Sequence, residues 1–184
     1  ARYNIENALM AIVLAHLQGI GREEIRSGLC RLLPDPIHSQ GRSNIFSYRG
    51  AQVILDFAHN EAGVRAMANL VHSMNPTRSF MILGQAGDRD LSLLKGMAEA
   101  AAELHCARYF IKRIAKNNEE RSAQETALKL QEFLISSGIE EKCIEVCIDE
   151  LEAANTALSV IKPNDILLLL THTHYEDVLT LLRS

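Results

Sequence analysis

The spacing of apolar residues changes partway along the chain. From Asn4 to Leu17 they recur at intervals of three and four, and Gly19 then stops the pattern, which predicts an amphipathic helix. A second, shorter helix is expected from Glu23 to Leu32. The segment PDPIHSQGR holds two of the four prolines and a glycine, so it reads as a linker. The domain boundary is placed there, with residues 1–37 as a helical piece and 38–184 as the main domain.

Beyond the linker, short apolar runs alternate with helical periodicity. An edge strand is expected at Asn44–Tyr48, followed by strands at Val53–Phe57, Phe80–Leu83, Arg108–Ile111, Cys143–Ile148 and Ile166–Leu170. Helices are expected between or after them at Ala62–Met74, Leu91–Leu104, Ala123–Ser136, Leu151–Val160 and Glu176–Leu182. Ser122 and Glu125 form a capping-box pattern for the third of these, and Gly138 lies just past its end. Strands apolar on both faces and alternating with helices imply an α/β fold: a Rossmann-like, doubly wound, mostly parallel sheet with helices on each side, preceded by the short helical segment.

Composition narrows the function classes. With 184 residues, 47% hydrophobic and 23% charged, the chain fits one sizeable domain of the water-exposed globular type plus a smaller piece. No apolar run approaches the roughly 20 residues that cross a bilayer, and ILLLLT is strand-sized, so no membrane partner is expected. A formal net charge of -4 supplies no basic field for phosphate backbones, which argues against nucleic acid as a partner. Cys30, Cys106, Cys143 and Cys147 fall in predicted helix or strand, as expected for reduced thiols of a cytoplasmic protein. Cys143 and Cys147 share a strand face, where packing explains them better than a metal does. The N-terminus lacks the basic start and cleavage pattern of a secretory signal, and reads as the cut edge of a longer protein.

Three segments carry polar residues where packing alone does not call for them. In VILDFAHNEAG an apolar run ends in Asp56, His59 and Asn60 just before a helix. In an open parallel sheet, ligands bind beyond the carboxyl ends of the strands, and a helix opened by an Asn60 cap would turn a partial positive charge toward an anion. Gly63 would allow close helix approach. Capping by Asp56 and Asn60 with packing of His59 remains the alternative.

In FMILGQAGDRD the strand runs into Gly84, Ala86 and Gly87 and then Asp88, Arg89 and Asp90, a small-residue turn followed by charges that suit a ligand. It is not a dinucleotide fingerprint, and no G-K-[ST] phosphate loop occurs anywhere. In THTHYED, His172 and His174 would share a face if the strand continued, but no further metal ligands are evident, and an exposed strand end is the simpler reading. Lys112 and Arg113 directly follow a strand and are candidates for reaching the same crevice.

Taken in order, these segments resemble the Mur ligase family of ATP-dependent amide ligases. NIENALMAIVLAHLQGIGREEIRSGL resembles the helices that finish the family's central ATPase domain, and Gly41-Arg42 resembles the linker motif that opens its C-terminal domain. DFAHNEAG is similar to DYAHNP.G, and GQAGDRD to G.GGDRD. Within the family these motifs look closest to cyanophycin synthetase and related ligases. The departures are Gln40 and Glu61 where prolines are usual, IKRIAKNNEER where several peptidoglycan ligases carry DNPR, and LTHTHYED in place of GKGHE.

The resemblance implies a reaction in which ATP, with Mg2+, phosphorylates a substrate carboxylate and an amino acid attacks the acyl phosphate to form an amide. It implies cofactor-binding roles for Arg42, Asp56 and Asn60, and places His59 and Asp56 at the catalytic junction. Arg89, Asp88, Lys112 and Arg113 become candidates for the incoming amino acid. ATP and Mg2+ would be held mainly by a central domain that residues 1–37 only begin to represent. A fragment without that domain is expected to be inactive. The rival reading is a self-standing Rossmann-like module for a nucleotide or small anion; an oxidoreductase is disfavoured by the missing fingerprint. Exposure of Leu9, Ile12, Val13 and Leu17 would separate the first two.

Overall fold

The computed structural model describes residues 2–31, 39–86, 90–115 and 120–183. Two helices come first, α1 (Arg2–Leu17) and α2 (Arg22–Arg31). The remaining elements are β1 (Asn44–Tyr48), β2 (Ala51–Asp56), α3 (Glu61–Ser73), β3 (Ser79–Leu83), α4 (Leu91–Ala102), β4 (Arg108–Lys112), α5 (Glu120–Ser136), β5 (Ile144–Cys147), α6 (Glu150–Val160), β6 (Ile166–Leu170) and α7 (Tyr175–Arg183).

The strands form one sheet in the order β1-β2-β6-β3-β4-β5, with β1 antiparallel to β2 and every other pairing parallel. A tight turn at Arg49 and Gly50, both at positive φ, reverses the chain between β1 and β2, the backbone geometry that matches strand twist. Within β2, Ile54 belongs to one core and Val53 and Leu55 to the other, the period-two alternation of a strand buried on both sides. Helices α3, α4 and α5 cover the first face through residues such as Met67, Met97 and Leu130. Helices α6 and α7 cover the second through Ala153, Ala157, Val178 and Leu182.

The doubly wound, mostly parallel expectation therefore holds. The chain runs outward through β2, β3, β4 and β5, then returns to insert β6 between β2 and β3. Helices following β2 and β3 lie on one face and the helix following β6 on the other. The carboxyl ends of these three strands thus border a crevice where connections diverge, the usual place for a ligand in such sheets.

Several local expectations are corrected. Helix α5 begins at Glu120, so Ser122 lies inside it and its carbonyl accepts the Thr126 hydroxyl at 2.8 Å instead of capping. Glu and Arg continue a helix readily, which extends it upstream of the apparent box. Its other end is as expected: Gly138 has φ +93, and the N–H groups of Gly138 and Ile139 donate back to Ile135 and Leu134. Strand β5 is shorter than expected, since Cys143 closes a 3-10 turn. Strand β6 ends at Leu170, so His172 and His174 do not share a strand face. The cysteines are free, with Cys106 and Cys147 buried. Residues 32–38, which include the first five residues of the linker, lie outside the described residues.

Helices α1 and α2 differ from the rest in their exposure, with no buried residue in α2. Leu9, Val13 and Leu17 are 57%, 52% and 73% exposed, while Ile12 is partly covered. Ile5, Met10 and Leu14 are exposed as well. No helix among the described residues is long and apolar enough to cross a membrane.

Candidate functional site

The site is built on the turn between β2 and α3. Asp56 is the last residue of β2 and only 3% exposed. One of its oxygens accepts the Ser43 N–H at 2.8 Å and the Ser43 hydroxyl at 3.3 Å; the other accepts the Ala58 N–H at 2.8 Å. Asp56 therefore ties the chain entering β1 to the turn leaving β2. These internal bonds make it a wall of the site.

Asn60 is the N-cap of α3, its side-chain oxygen accepting the Gly63 N–H at 2.9 Å. A side chain at Gly63 would bring a Cβ to 3.1 Å from that of Ala58, so the close approach lies between the helix and this turn. The His59 Nδ1 faces the Phe57 carbonyl at 3.0 Å. A carbonyl only accepts, so in the neutral ring Nδ1 carries the proton and Nε2 keeps its lone pair. The Gln85 amide bonds the His59 carbonyl at 2.8 Å and links this turn to the end of β3.

Arg42 reaches the same place from the β1 side. Gly41 takes positive φ, donates to the Asn44 side chain at 2.8 Å and accepts from Phe57 N–H at 2.8 Å, which fixes exposed Arg42 beside the β2 turn. Arg42, Asp56, His59, Asn60 and Gly63 line one cavity of about 230 Å3, with Asn7 of α1 at its edge. That is smaller than the roughly 300–1,000 Å3 of a complete small-molecule pocket, and suits one wall of a larger site. A basic side chain, a helix N-terminus and a histidine together fit a phosphate-bearing ligand. Among the described residues no group of three His, Cys, Asp or Glu side chains is placed to hold a metal ion.

The other expected residues separate from this cavity. Lys112, expected to meet substrate, is instead fully buried, its ammonium paired with Glu150 and bonded to the Leu170 carbonyl. A long lysine at a strand end satisfies its charge inward here because an acid waits at the start of α6. Arg113 donates to the Ile148 carbonyl at 3.2 Å and to Gln124 at 3.0 Å, stapling the end of β4 to its neighbours. Asp88 and Arg89 lie outside the described residues. Asp90 caps α4, accepting the Ser92 N–H at 2.7 Å. A roomier cavity of about 420 Å3 lies between α4 and α5, lined by Leu91, Leu94, Glu125 and Lys129 among others, away from the β2 turn.

His172 was read as an exposed strand end and lies instead beside the site. Its ring packs edge-on against Phe57 at 5.0 Å between centroids, and Phe57 packs against His59 at 5.7 Å. Both His172 ring nitrogens are buried and neither makes a hydrogen bond of good geometry, with the Ala58 backbone near enough to favour the protonated ring slightly. Burial, reinforced by the Lys112 charge, depresses its pKa to about 3, so the ring is neutral at physiological pH. A histidine directly after an apolar strand was the only trace of this in the sequence. His174 turns away and bonds Asp177 at 2.9 Å.

The strand order and covering helices define a Rossmann-like α/β domain with an open cavity at the β2 turn. The chain belongs to the Mur ligase family, matching the description "Mur ligase, glutamate ligase domain" over residues 41–171. A cyanophycin synthetase of Synechocystis sp. is 31% identical over 168 residues, which cover 88% of this chain and 18% of the synthetase. A UDP-N-acetylmuramoyl-L-alanyl-D-glutamate--2,6-diaminopimelate ligase of Clostridium acetobutylicum is 26% identical, covering 94% of this chain and 34% of that protein. E. coli FolC, solved with DHPP and ADP, shares the fold at a TM-score of 0.71 and 21% identity, over 97% of this chain and 39% of that one. The chain thus spans under a fifth of the length of the cyanophycin synthetase it resembles.

Proposed function

We propose that this chain acts as the C-terminal domain of an ATP-dependent Mur-family ligase that joins an amino acid to a carboxylate acceptor through an acyl phosphate. The observation that carries the reading is the joint placement of Arg42, His59 and Asn60 around one small, open cavity at the N-terminus of α3. Arg42 offers charge to a phosphate, Asn60 holds the helix end in place, and His59 faces the junction through Nε2. Asp56 keeps the turn in shape from behind. ATP supplies the phosphoryl group that activates the carboxylate. The domain contributes by closing over that assembly and bringing the amino acid, which excludes water.

The isolated chain is proposed to be inactive, with ATP and Mg2+ held mainly by a central domain to which α1 and α2 belong. The cavity is too small to enclose a nucleotide by itself, and the bare apolar face of α1 suits packing against more protein. The amino acid is proposed to meet Arg89 and Asp88.

The test is phosphate release from ATP by the full-length protein across a panel of amino acids and carboxylate acceptors, with the 184-residue chain as control. Release should require one amino acid and the full-length protein, and should fall at least about a hundredfold in His59→Ala, the scale of a misplaced reacting group. Steady ligation by the 184-residue chain alone, or no release with any pairing, would overturn the reading in favour of a binding module.

A further inference from the structure

Behind the β2 turn lies a second polar cluster that the pocket does not use. The carboxylate of Glu150, the first residue of α6, sits at the centre of the β6–α7 turn and is fully buried. One oxygen accepts the Thr171 hydroxyl at 2.6 Å and the His174 N–H at 3.3 Å. The other accepts the N–H groups of His172 at 2.7 Å and Thr173 at 3.1 Å, the Thr173 hydroxyl at 3.3 Å, and Lys112. Three successive backbone N–H groups around one anion form a nest of the kind that elsewhere binds phosphate. Here the chain supplies the anion itself, so this turn has no N–H left for a ligand.

The nest fixes the backbone of residue 172, and through it the imidazole. Contacts then run without a gap to the pocket: His172 against Phe57, Phe57 against His59, and the Phe57 carbonyl on His59 Nδ1. The His172 ring is buried and neither nitrogen makes a hydrogen bond of good geometry, so its own side-chain bonds do little to hold it there. Its position therefore depends on its backbone anchor. We propose that Glu150, held by Lys112, seats His172 against Phe57 and thereby positions His59 at the mouth of the pocket. Glu150, Lys112 and His172 are positioning residues. The inference rests on the reading of His59 as a group of the ligand pocket.

The experiment is imidazole NMR on the 184-residue chain, following His172 and His59 through a pH series in Glu150→Gln, in the charge-free pair Lys112→Met with Glu150→Gln, and in each with His172→Asn added. The pair keeps the core neutral should the single variant fail to fold. The groups facing His172 are Lys112, Glu150 and His59. The Glu150 charge favours the imidazolium, so its loss acting only electrostatically would lower the His172 titration further. Release of the turn instead raises it toward the ordinary 6.5, and that rise is the expected result for Glu150→Gln.

In the folded pair variant the His59 resonances should shift and broaden, with no further change when His172→Asn is added. His59 signals at their wild-type positions in that folded variant would overturn the proposal. A further shift on adding His172→Asn would also overturn it, because the two changes would then act independently. In the full-length protein the pair variant should lower kcat for ligation about tenfold or more. If His59→Ala leaves ligation intact while His59 still moves in the chain, the positioning stands and the reading of the pocket fails.

Discussion

Two polar clusters along the same edge of the sheet use their residues in opposite ways. At the end of β2, Arg42, His59 and Asn60 stand at the surface, held from behind by Asp56. At the ends of β4 and β6, Lys112, Glu150 and Thr171 face one another and leave almost nothing to solvent. The first arrangement keeps hydrogen-bonding capacity in reserve; the second consumes it to fix a turn. A charged residue after a strand therefore marks a ligand site only if no opposite charge lies within its reach. Lys112 has such a partner at the N-terminus of α6, and Arg42 lines the open cavity.

The sharpest way to break the comparison is Glu150→Ala. It strands a buried ammonium, and loss of one partner of such a pair costs about 3–5 kcal/mol, read as a lower midpoint in urea or heat. Stability against pH comes next. His172 has its folded pKa depressed from 6.5 to about 3, so the unfolded chain binds its proton more readily; the contribution is complete above pH 6.5 and lost as pH falls toward 3. Burial alone would raise the Glu150 pKa, but Lys112 and the donors of the nest hold it at about 2, so its contribution is lost only between about 4.5 and 2. Urea midpoints from pH 7 to 3 should therefore begin to fall near 6.5, and His172→Asn should flatten the upper part of that slope.

Smaller effects are expected on the open side. Asn60→Ala removes a helix cap and should cost about 1 kcal/mol in thermal unfolding. Arg42→Ala, at an exposed position, should stay within about 0.5 kcal/mol of wild type while weakening ATP use by the full-length protein. A large stability loss in Arg42→Ala would erase the distinction between the two clusters.

The sheet was legible in the sequence because its strands are apolar on both faces, and runs such as Ile166–Leu170 admit no other placement than the centre. The Asn60 cap and the cluster around Asp56 were legible for a local reason, since each partner lies within a few residues in the chain or follows from strand-end geometry. The Lys112–Glu150 pair was not. Its members are 38 residues apart, and an acid in the first turn of a helix ordinarily reads as a complement to the helix dipole. His172 was missed because alternation was extended past Leu170. The backbone there leaves the sheet when its N–H groups turn to a carboxylate, and no periodicity records that.

The strand order also bears on how the protein comes into being. Of the six strands β6 is the last to leave the ribosome, yet it lies between β2 and β3, so until it arrives those two strands have no partner on their facing edges. A nascent chain halted before Ile166 holds two separate half-sheets, β1-β2 and β3-β4-β5, each with an open apolar border of the kind that recruits foreign strands. The emergence of β6 is thus the closing step of the whole sheet, and the interval before it is when the chain most needs protection from aggregation.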